Sequence, residues 1–342
     1  MLTRTGVRLA DWTTLRVGGQ AASFSEASTR SALYDAVAAA DEAGEDALVL
    51  GGGSNLVVSD DGFVGRVVKV ANTGITVGGD ACSGVEVLAE SGEDWDAFVE
   101  RAVTTEWIGV EALSGIPGTV GAVPIQNVGA YGQEVAETIT QVHVFDRVDR
   151  RPRTMFAADC AFGYRSSVFK QNSKRYVVGA VTFQFRPGTL ATPVRYAELA
   201  RTLGVRIGDR ALSSDVRQAV LKLRRSKGMV LDEADHDTWS AGSFFINPFV
   251  APDRLPEGAP SYPQPDGRIK TSAAWLIEHA GFARGYGNDR VGLSTKHPLA
   301  LSNRGTATTA DVLALAREIR AGVESGFGIV LQPEPVCINC DV

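Results

Sequence analysis

The amino-acid sequence predicts an α+β fold of more than one domain, on three observations. Helix-like and strand-like stretches succeed one another without the regular alternation of a doubly wound sheet. The chain has 342 residues, more than one simple core usually organises, so two or three domains are expected. Charge and glycine density change after about residue 228, which sets a boundary there.

The elements follow in chain order. Arg30 to Gly44, RSALYDAVAAADEAG, repeats apolar residues at helical spacing and stops at a glycine. ALVLGGGSNLVV reads as strand, glycine turn and apolar run, and GRVVKVAN and GVEVLAES read as strands. Asp94 to Trp107 is an expected helix capped by its first acid. Gly109 to Val135 is rich in glycine, poor in charge and too long for an ordinary connector, which marks it as functional. TQVHVFDRV and RYVVGAVTFQF are expected strands, and Ser214 to Lys227 a basic helix. Lys270 to Ala280 and Ala310 to Val323 are expected helices, the second with Val312, Leu315, Ile319 and Val323 on one face. The terminal FGIVLQPEPVCI is an expected strand.

Composition narrows the class. A net charge of −6 argues against a nucleic-acid or anionic-membrane partner, while leaving room for a local basic pocket. The first residues, MLTRTGVRLADW, carry no apolar signal region, and no apolar run reaches the roughly 18 residues of a spanning helix. Cys82, Cys160, Cys337 and Cys340 make no disulfide framework. Cys337 and Cys340 form a lone C-x-x-C, and a zinc site would need two further ligands, so no metal is expected. These features together predict a cytoplasmic chain.

Two glycine loops carry the first functional signal. In GGGSN, Gly51, Gly52, Gly53, Ser54 and Asn55 follow a strand, where bare backbone approaches a pyrophosphate closely. The dinucleotide fingerprint requires a helix next, and LVVSDDGF is strand-like, so that site is disfavoured. The second loop, SGIPGTVGAVPIQNVGAYG, offers many backbone donors with Ser114, Thr119, Gln126 and Asn127 and almost no charge. That suits a neutral ring system and a pyrophosphate held by amides, so a nucleotide cofactor is expected.

Seven motifs stand in order: TTLRVGG (Thr13 to Gly19), LGGGSN, LSGIPGTVGAVPIQNVGAYG, FGYRSSVFK (Phe162 to Lys170), AGSFFINP (Ala241 to Pro248), AAWLIEHAG and LQPEP. Together they resemble the UDP-N-acetylenolpyruvoylglucosamine reductase family, flavoenzymes of peptidoglycan precursor synthesis, over nearly the whole chain, in the type with a tyrosine loop. The resemblance implies an FAD-binding module of the vanillyl-alcohol-oxidase type with a separate α+β substrate-binding domain. It implies residues 1–73 joined by 328–342 as a first FAD subdomain, 74–228 as a second, and 229–327 as the substrate domain. By the same resemblance Gly51 to Asn55, Ser114, Gly115, Ile116, Pro117, Gly118, Gly121, Gln126, Asn127 and Gly129 bind FAD, with Arg16 a weaker candidate. A monomer is expected, with a part in cell shape, the cell cycle and division through the cell wall.

The implied substrate is UDP-N-acetylglucosamine enolpyruvate, whose double bond needs a hydride at C3 and a proton at C2. No side chain supplies hydride, so FAD loaded by NADPH must. Addition at C3 drives charge into the carboxylate, giving an enediolate-like dianion that needs cationic and hydrogen-bonding partners. The resemblance assigns that work to Arg165, in GYRSS, whose fork binds a carboxylate at two points, and to Glu334, in QPEP. Its third member is Ser243, the proton donor to C2. A nucleophilic serine is disfavoured: there is no G-x-S-x-G elbow, and His143, His236, His279 and His297 form no motif with Ser243. Tyr164, Tyr196, Lys227 and Asn247 match substrate-binding positions, each with a plain alternative as a half-buried ring, a solvated helix face or a turn residue. Two departures stand out: Ile246 replaces a frequent lysine, and GMVLDEADHDTWS after Lys227 is longer than the resemblance leads one to expect. An FAD oxidase of the same fold and a non-enzymatic nucleotide binder remain as rivals; no obvious flavin-tethering residue favours the oxidase.

Overall fold

The computed structural model describes residues 2–80 and 84–342, so Cys82 lies outside the described residues. The chain divides into two compact units. The first comprises Met1–Gly6, Ala22–Gly52 and Val64–Ser226, and the second Val7–Ala21, Gly53–Phe63 and Lys227–Val342. The break after Ser226 falls beside the composition change expected at residue 228.

The first unit is built on two sheets. One has the strand order Thr3–Arg4, Gln20–Ala27, Phe63–Val70, Ala47–Leu50, with the last two parallel. Helix Arg30–Ala43 covers it as expected: the Thr29 hydroxyl accepts the Ala32 N–H, and Gly44 ends it at φ 68°. Leu33, Val37 and Ala40 of this helix are fully buried among Val68, Val70, Phe145 and Val177. The second sheet is antiparallel, in the order Arg151–Phe156, Ile139–Asp146, Tyr176–Pro187, Gly84–Glu90, Ile75–Asp80. Helix Trp95–Thr104 lays Trp95, Phe98, Val99 and Ala102 on the core around Phe183 and Phe185, the Phe98 and Phe183 rings 4.9 Å apart. Each such ring removed from water is worth about 1.5–3 kcal/mol.

That helix is shorter than expected. It ends at Thr104, where the Thr105 hydroxyl donates to the Arg101 carbonyl, a local bond that competes with the helical ladder. Trp107, expected as its last residue, pairs instead with Pro187 in the two-residue strand Trp107–Ile108. Helix Ser213–Ser226 packs Val216, Ala219 and Val220 with Leu199 of helix Ala197–Leu203.

The second unit surrounds helix Thr309–Phe327. A Thr308–Asp311 capping box starts it, and Val312, Ala316, Ile319 and Val323 are fully buried with Leu15, Val57, Phe244 and Phe245. Strand Val336–Ile338 runs parallel to Leu56–Val58, directly after GGGSN. The expected terminal strand is therefore confined to its last three residues. Pro333 and Pro335 lack the N–H groups a ladder needs, and only Pro333 makes a bridge, to Phe245. Lys270, expected to open a helix, belongs to strand Ile269–Lys270; helix Ala273–His279 starts after Ser272, which caps it. A hairpin, Val291–Leu293 with Leu301–Asn303, carries the connection 294–300.

Candidate active site

In the first unit the two glycine loops meet. A Cβ added to Gly52 would stand 2.6 Å from Gly118 Cα, and one on Gly51 would stand 3.0 Å from Thr119 Oγ1. Side chains there would force the loops apart. The second loop is fixed from inside. The Ser114 hydroxyl, fully buried, donates to the Glu111 carbonyl at 2.7 Å, and Gly115 N–H donates to Asp96 Oδ1 at 2.6 Å. Gly121 N–H donates to the Ser91 carbonyl at 2.9 Å, and a Cβ on Gly121 would lie 2.4 Å from Ser91 Cβ. Gly115 and Gly121 thus hold the loop through their amides, and the partly exposed Ile116, Pro117 and Gly118 form its outward stretch beside exposed Gly52. This bare-backbone surface fits a flat neutral ring system with a pyrophosphate, the group expected there.

Asp96 went unnoticed in the sequence beside the capping Asp94. Besides Gly115 it accepts from Arg217 Nη1 at 2.6 Å, on helix Ser213–Ser226. Burial pushes its carboxyl up, but the bonds from Arg217 and Gly115 outweigh this and hold it below the usual carboxylate range.

Arg165 sits at the tip of a turn closed by reciprocal backbone bonds between Gly163 and Ser166, with φ 51°. For a non-glycine residue that region is strained. Three contacts stabilise the turn. Arg165 Nη2 donates to the Gly129 carbonyl at 2.9 Å, and Lys170 Nζ donates to the Arg165 carbonyl at 3.1 Å. Asn127, almost fully buried, donates to the Gly163 carbonyl at 3.1 Å and to Glu134 Oε2 at 2.7 Å, and accepts Ala136 N–H at 3.1 Å. Its side chain is engaged in holding the arginine turn, while Gln126 beside it is partly exposed. Tyr164, exposed at the same tip, lies under the Arg165 guanidinium at 5.6 Å. Tyr196 is exposed before helix Ala197–Leu203, its ring edge-on to Tyr131 at 5.5 Å. Burial pushes the Tyr131 hydroxyl up to about 12.

In the second unit Gly53, Ser54 and Asn55 lead into strand Leu56–Val58. Gly53, at φ 64°, is pressed on the Trp12 carbonyl, where an added Cβ would lie at 1.9 Å. Its own carbonyl accepts Thr14 N–H, and the Asn55 carbonyl accepts Val336 N–H. Arg16 lies over the Trp239 ring at 4.3 Å and pairs with Glu233 at 3.1 Å.

AGSFFINP and LQPEP lie side by side in this unit. Glu334 N–H donates to the Phe244 carbonyl at 2.8 Å, Ile246 N–H donates to the Gln332 carbonyl at 3.0 Å, and Phe245 bridges Pro333. On the other edge Phe244 N–H donates to the Leu299 carbonyl at 2.6 Å. The buried Phe244 and Phe245 rings anchor the segment in the core. Ser243 is thereby set next to both neighbours, half-buried, after Gly242 at φ 75°. Its Oγ lies 3.2 Å from His297 Nε2. Sequence gave no histidine in a motif with Ser243; the fold supplies one. Asn247 Oδ1 accepts Ala273 N–H at 2.9 Å, capping the first turn of helix Ala273–His279. Lys227, half-buried, opens the unit just past the basic helix.

Among the described residues no group of three His, Cys, Asp or Glu side chains is placed to hold a metal, and no helix is long and apolar enough to cross a membrane. Cys160 is buried with its thiol pushed up to about 12 by that burial. The hydrogen bond between Cys337 and Cys340 raises the Cys337 thiol and lowers that of Cys340.

Residues 233–338 match the family model of the UDP-N-acetylenolpyruvoylglucosamine reductase C-terminal domain, and residues 21–149 that of an FAD binding domain. The UDP-N-acetylenolpyruvoylglucosamine reductase of Cutibacterium acnes is 55% identical, covering 98% of this chain and 90% of its own. That of Thermobifida fusca is 54% identical, covering 97% of each. The solved UDP-N-acetylenolpyruvylglucosamine reductase of Thermus caldophilus shares the fold, with a TM-score of 0.68 at 24% identity over 98% of this chain and all of that one.

Proposed function

The chain belongs to the UDP-N-acetylenolpyruvoylglucosamine reductase family, and we propose that Arg165, Ser243 and Glu334 divide its chemistry between them. The enzyme is an FAD-dependent oxidoreductase that uses NADPH to reduce the enolpyruvyl group of UDP-N-acetylglucosamine enolpyruvate, giving UDP-N-acetylmuramate for peptidoglycan synthesis. FAD, when bound, supplies the hydride that reaches C3.

The single observation that carries the assignment is the seating of Ser243 beside Glu334 and His297 through the backbone bonds of Phe244. In our reading the Arg165 fork binds the substrate carboxylate as charge flows into it, and the strained turn held by Asn127 keeps the guanidinium in place. Ser243 hands its proton to C2. Glu334 completes the set of groups at the carboxylate. Gly51, Gly52, Gly53, Ser54, Asn55, the 114–121 loop, Gln126 and Gly129 hold FAD, with Asn127 acting through the turn it fixes. Tyr164, Tyr196, Lys227 and Asn247 contact the sugar nucleotide.

We propose residues 1–73 with 328–342 as one FAD subdomain, 74–228 as a second and 229–327 as the substrate domain; strand Val336–Ile338 pairs with Leu56–Val58, and both lie in the same compact unit as residues 227–327. The nucleotide substrates favour a cytoplasmic location; we propose a monomer, with a role in cell shape, the cell cycle and division through the wall it helps build. Stopped-flow measurement of Arg165→Ala and Glu334→Gln tests the roles. Flavin reduction by NADPH should persist while reoxidation by UDP-N-acetylglucosamine enolpyruvate slows; equal slowing of both half-reactions would refute the assignment.

A further inference from the structure

We propose that His297 is a positioning residue for the Ser243 hydroxyl, held in place by an acidic turn around Asp237. This rests on the reading of Ser243 as proton donor. A serine hydroxyl is a weak acid, so giving its proton to carbon demands that Oγ be held and its O–H aimed. His297 Nε2 is 3.2 Å from Oγ. With the ring N–H donating to Oγ, one lone pair is engaged and the hydroxyl proton is left for the substrate. The same bond stabilises the charge that grows on Oγ as that proton leaves. The O–H bond breaks, a C–H bond forms at C2 with the electron pair of the enediolate, and Oγ regains a proton from solvent before the next turnover.

The placement of His297 is built, not incidental. It lies in the connection 294–300 of the hairpin, which is otherwise free of regular structure. Ser294, almost fully buried, organises that connection: its Oγ accepts the N–H groups of Lys296 and His297, both at 3.1 Å. The same hydroxyl donates to Asp237 Oδ2 at 3.0 Å, which completes its capacity. Asp237 also accepts Thr295 N–H at 3.0 Å and the Thr295 hydroxyl at 2.9 Å. Lys296 pairs with Asp235, whose side chain in turn accepts Asp237 N–H. The turn is tied to the hairpin from behind, since Ser302 donates to the Asp237 carbonyl at 3.0 Å and Asn303 N–H to the Trp239 carbonyl at 2.9 Å. GMVLDEADHDTWS, unexplained by length in the sequence, thus has a role: Asp237 fixes Ser294, Ser294 fixes His297, and His297 aims Ser243.

The test uses the flavin-loaded protein with Ser243→Ala, His297→Leu, His297→Gln, Asp237→Ala and the Ser243→Ala/His297→Leu pair. One readout is the rate at which UDP-N-acetylglucosamine enolpyruvate reoxidises NADPH-reduced flavin. The other is the 15N shift of the His297 ring nitrogens, tractable in a chain with four histidines. His297→Leu should slow reoxidation about 10- to 100-fold, and His297→Gln, which keeps a terminal N–H, should recover most of it. The paired variant should be no slower than Ser243→Ala alone. The His297 Nε2 resonance should move in Ser243→Ala and in Asp237→Ala. A normal rate in His297→Leu, multiplied losses in the pair, or an unmoved resonance in Ser243→Ala would overturn the proposal while leaving a slow Ser243→Ala to support the proton donor. A normal rate in Ser243→Ala would overturn both readings. If His297→Leu fails to fold, the resonance in Ser243→Ala and Asp237→Ala decides.

Discussion

Gly52 lies backbone to backbone against Gly118, so close that a Cβ on Gly52 would stand 2.6 Å from Gly118 Cα. Two loops far apart in sequence become one bare-backbone surface. Gly52→Ala should push them apart at a cost of about 1–3 kcal/mol, weakening FAD binding by about 5- to 150-fold. Titration of the flavin-free protein with FAD, followed by absorbance, checks this, and an unchanged affinity would show that the contact does not shape the cofactor surface.

Asn127 ties Gly163, Glu134 and Ala136 together from a buried position. Asn127→Ala leaves the Gly163 carbonyl and Ala136 N–H without that partner, a loss of about 1–3 kcal/mol in urea unfolding. Arg165 should lose its place as well, so substrate-driven flavin reoxidation should slow more than NADPH-driven reduction.

Asp96 has a carboxyl held below its ordinary range by Arg217 and Gly115 against the effect of burial. Its stabilising contribution is therefore present above the unfolded carboxylate value, about 3.9, and is lost as pH falls through the lower folded value. Asp96→Asn should flatten that part of the acid-unfolding curve. At neutral pH it should cost about 1–3 kcal/mol, since a third of the Asp96 side chain is exposed while Arg217 is buried.

The cysteines should differ in reactivity. Cys340 is held low by its hydrogen bond with Cys337, which raises the Cys337 thiol, while burial raises Cys160. Iodoacetamide at mildly alkaline pH should label Cys340 before Cys337 and Cys160 in the native protein, as read by peptide mapping. Labelling of Cys160 first would mean that its site opens readily.

What the sequence revealed was local. Thr29 and Gly44 bracket a helix that the residues between them already announce, and GGGSN followed by LVV correctly excluded a helix after the glycines. What it hid depends on register between distant segments. Ser243 and His297 are 54 positions apart and meet because a hairpin and the Phe244 backbone bonds set their spacing. Nothing in the sequence singles out Asp96, and only the fold brings Arg217 and Gly115 to it. The terminal strand is shorter than its apolar pattern implies, because Pro333 and Pro335 break the ladder.

The central claim is that Ser243 gives the proton to C2, and rapid mixing of Ser243→Ala tests it most directly. Reduction of bound flavin by NADPH should stay within about twofold of wild type, and reoxidation by UDP-N-acetylglucosamine enolpyruvate should slow about 10²- to 10⁴-fold. Equal losses in the two half-reactions, or none in the second, would contradict it.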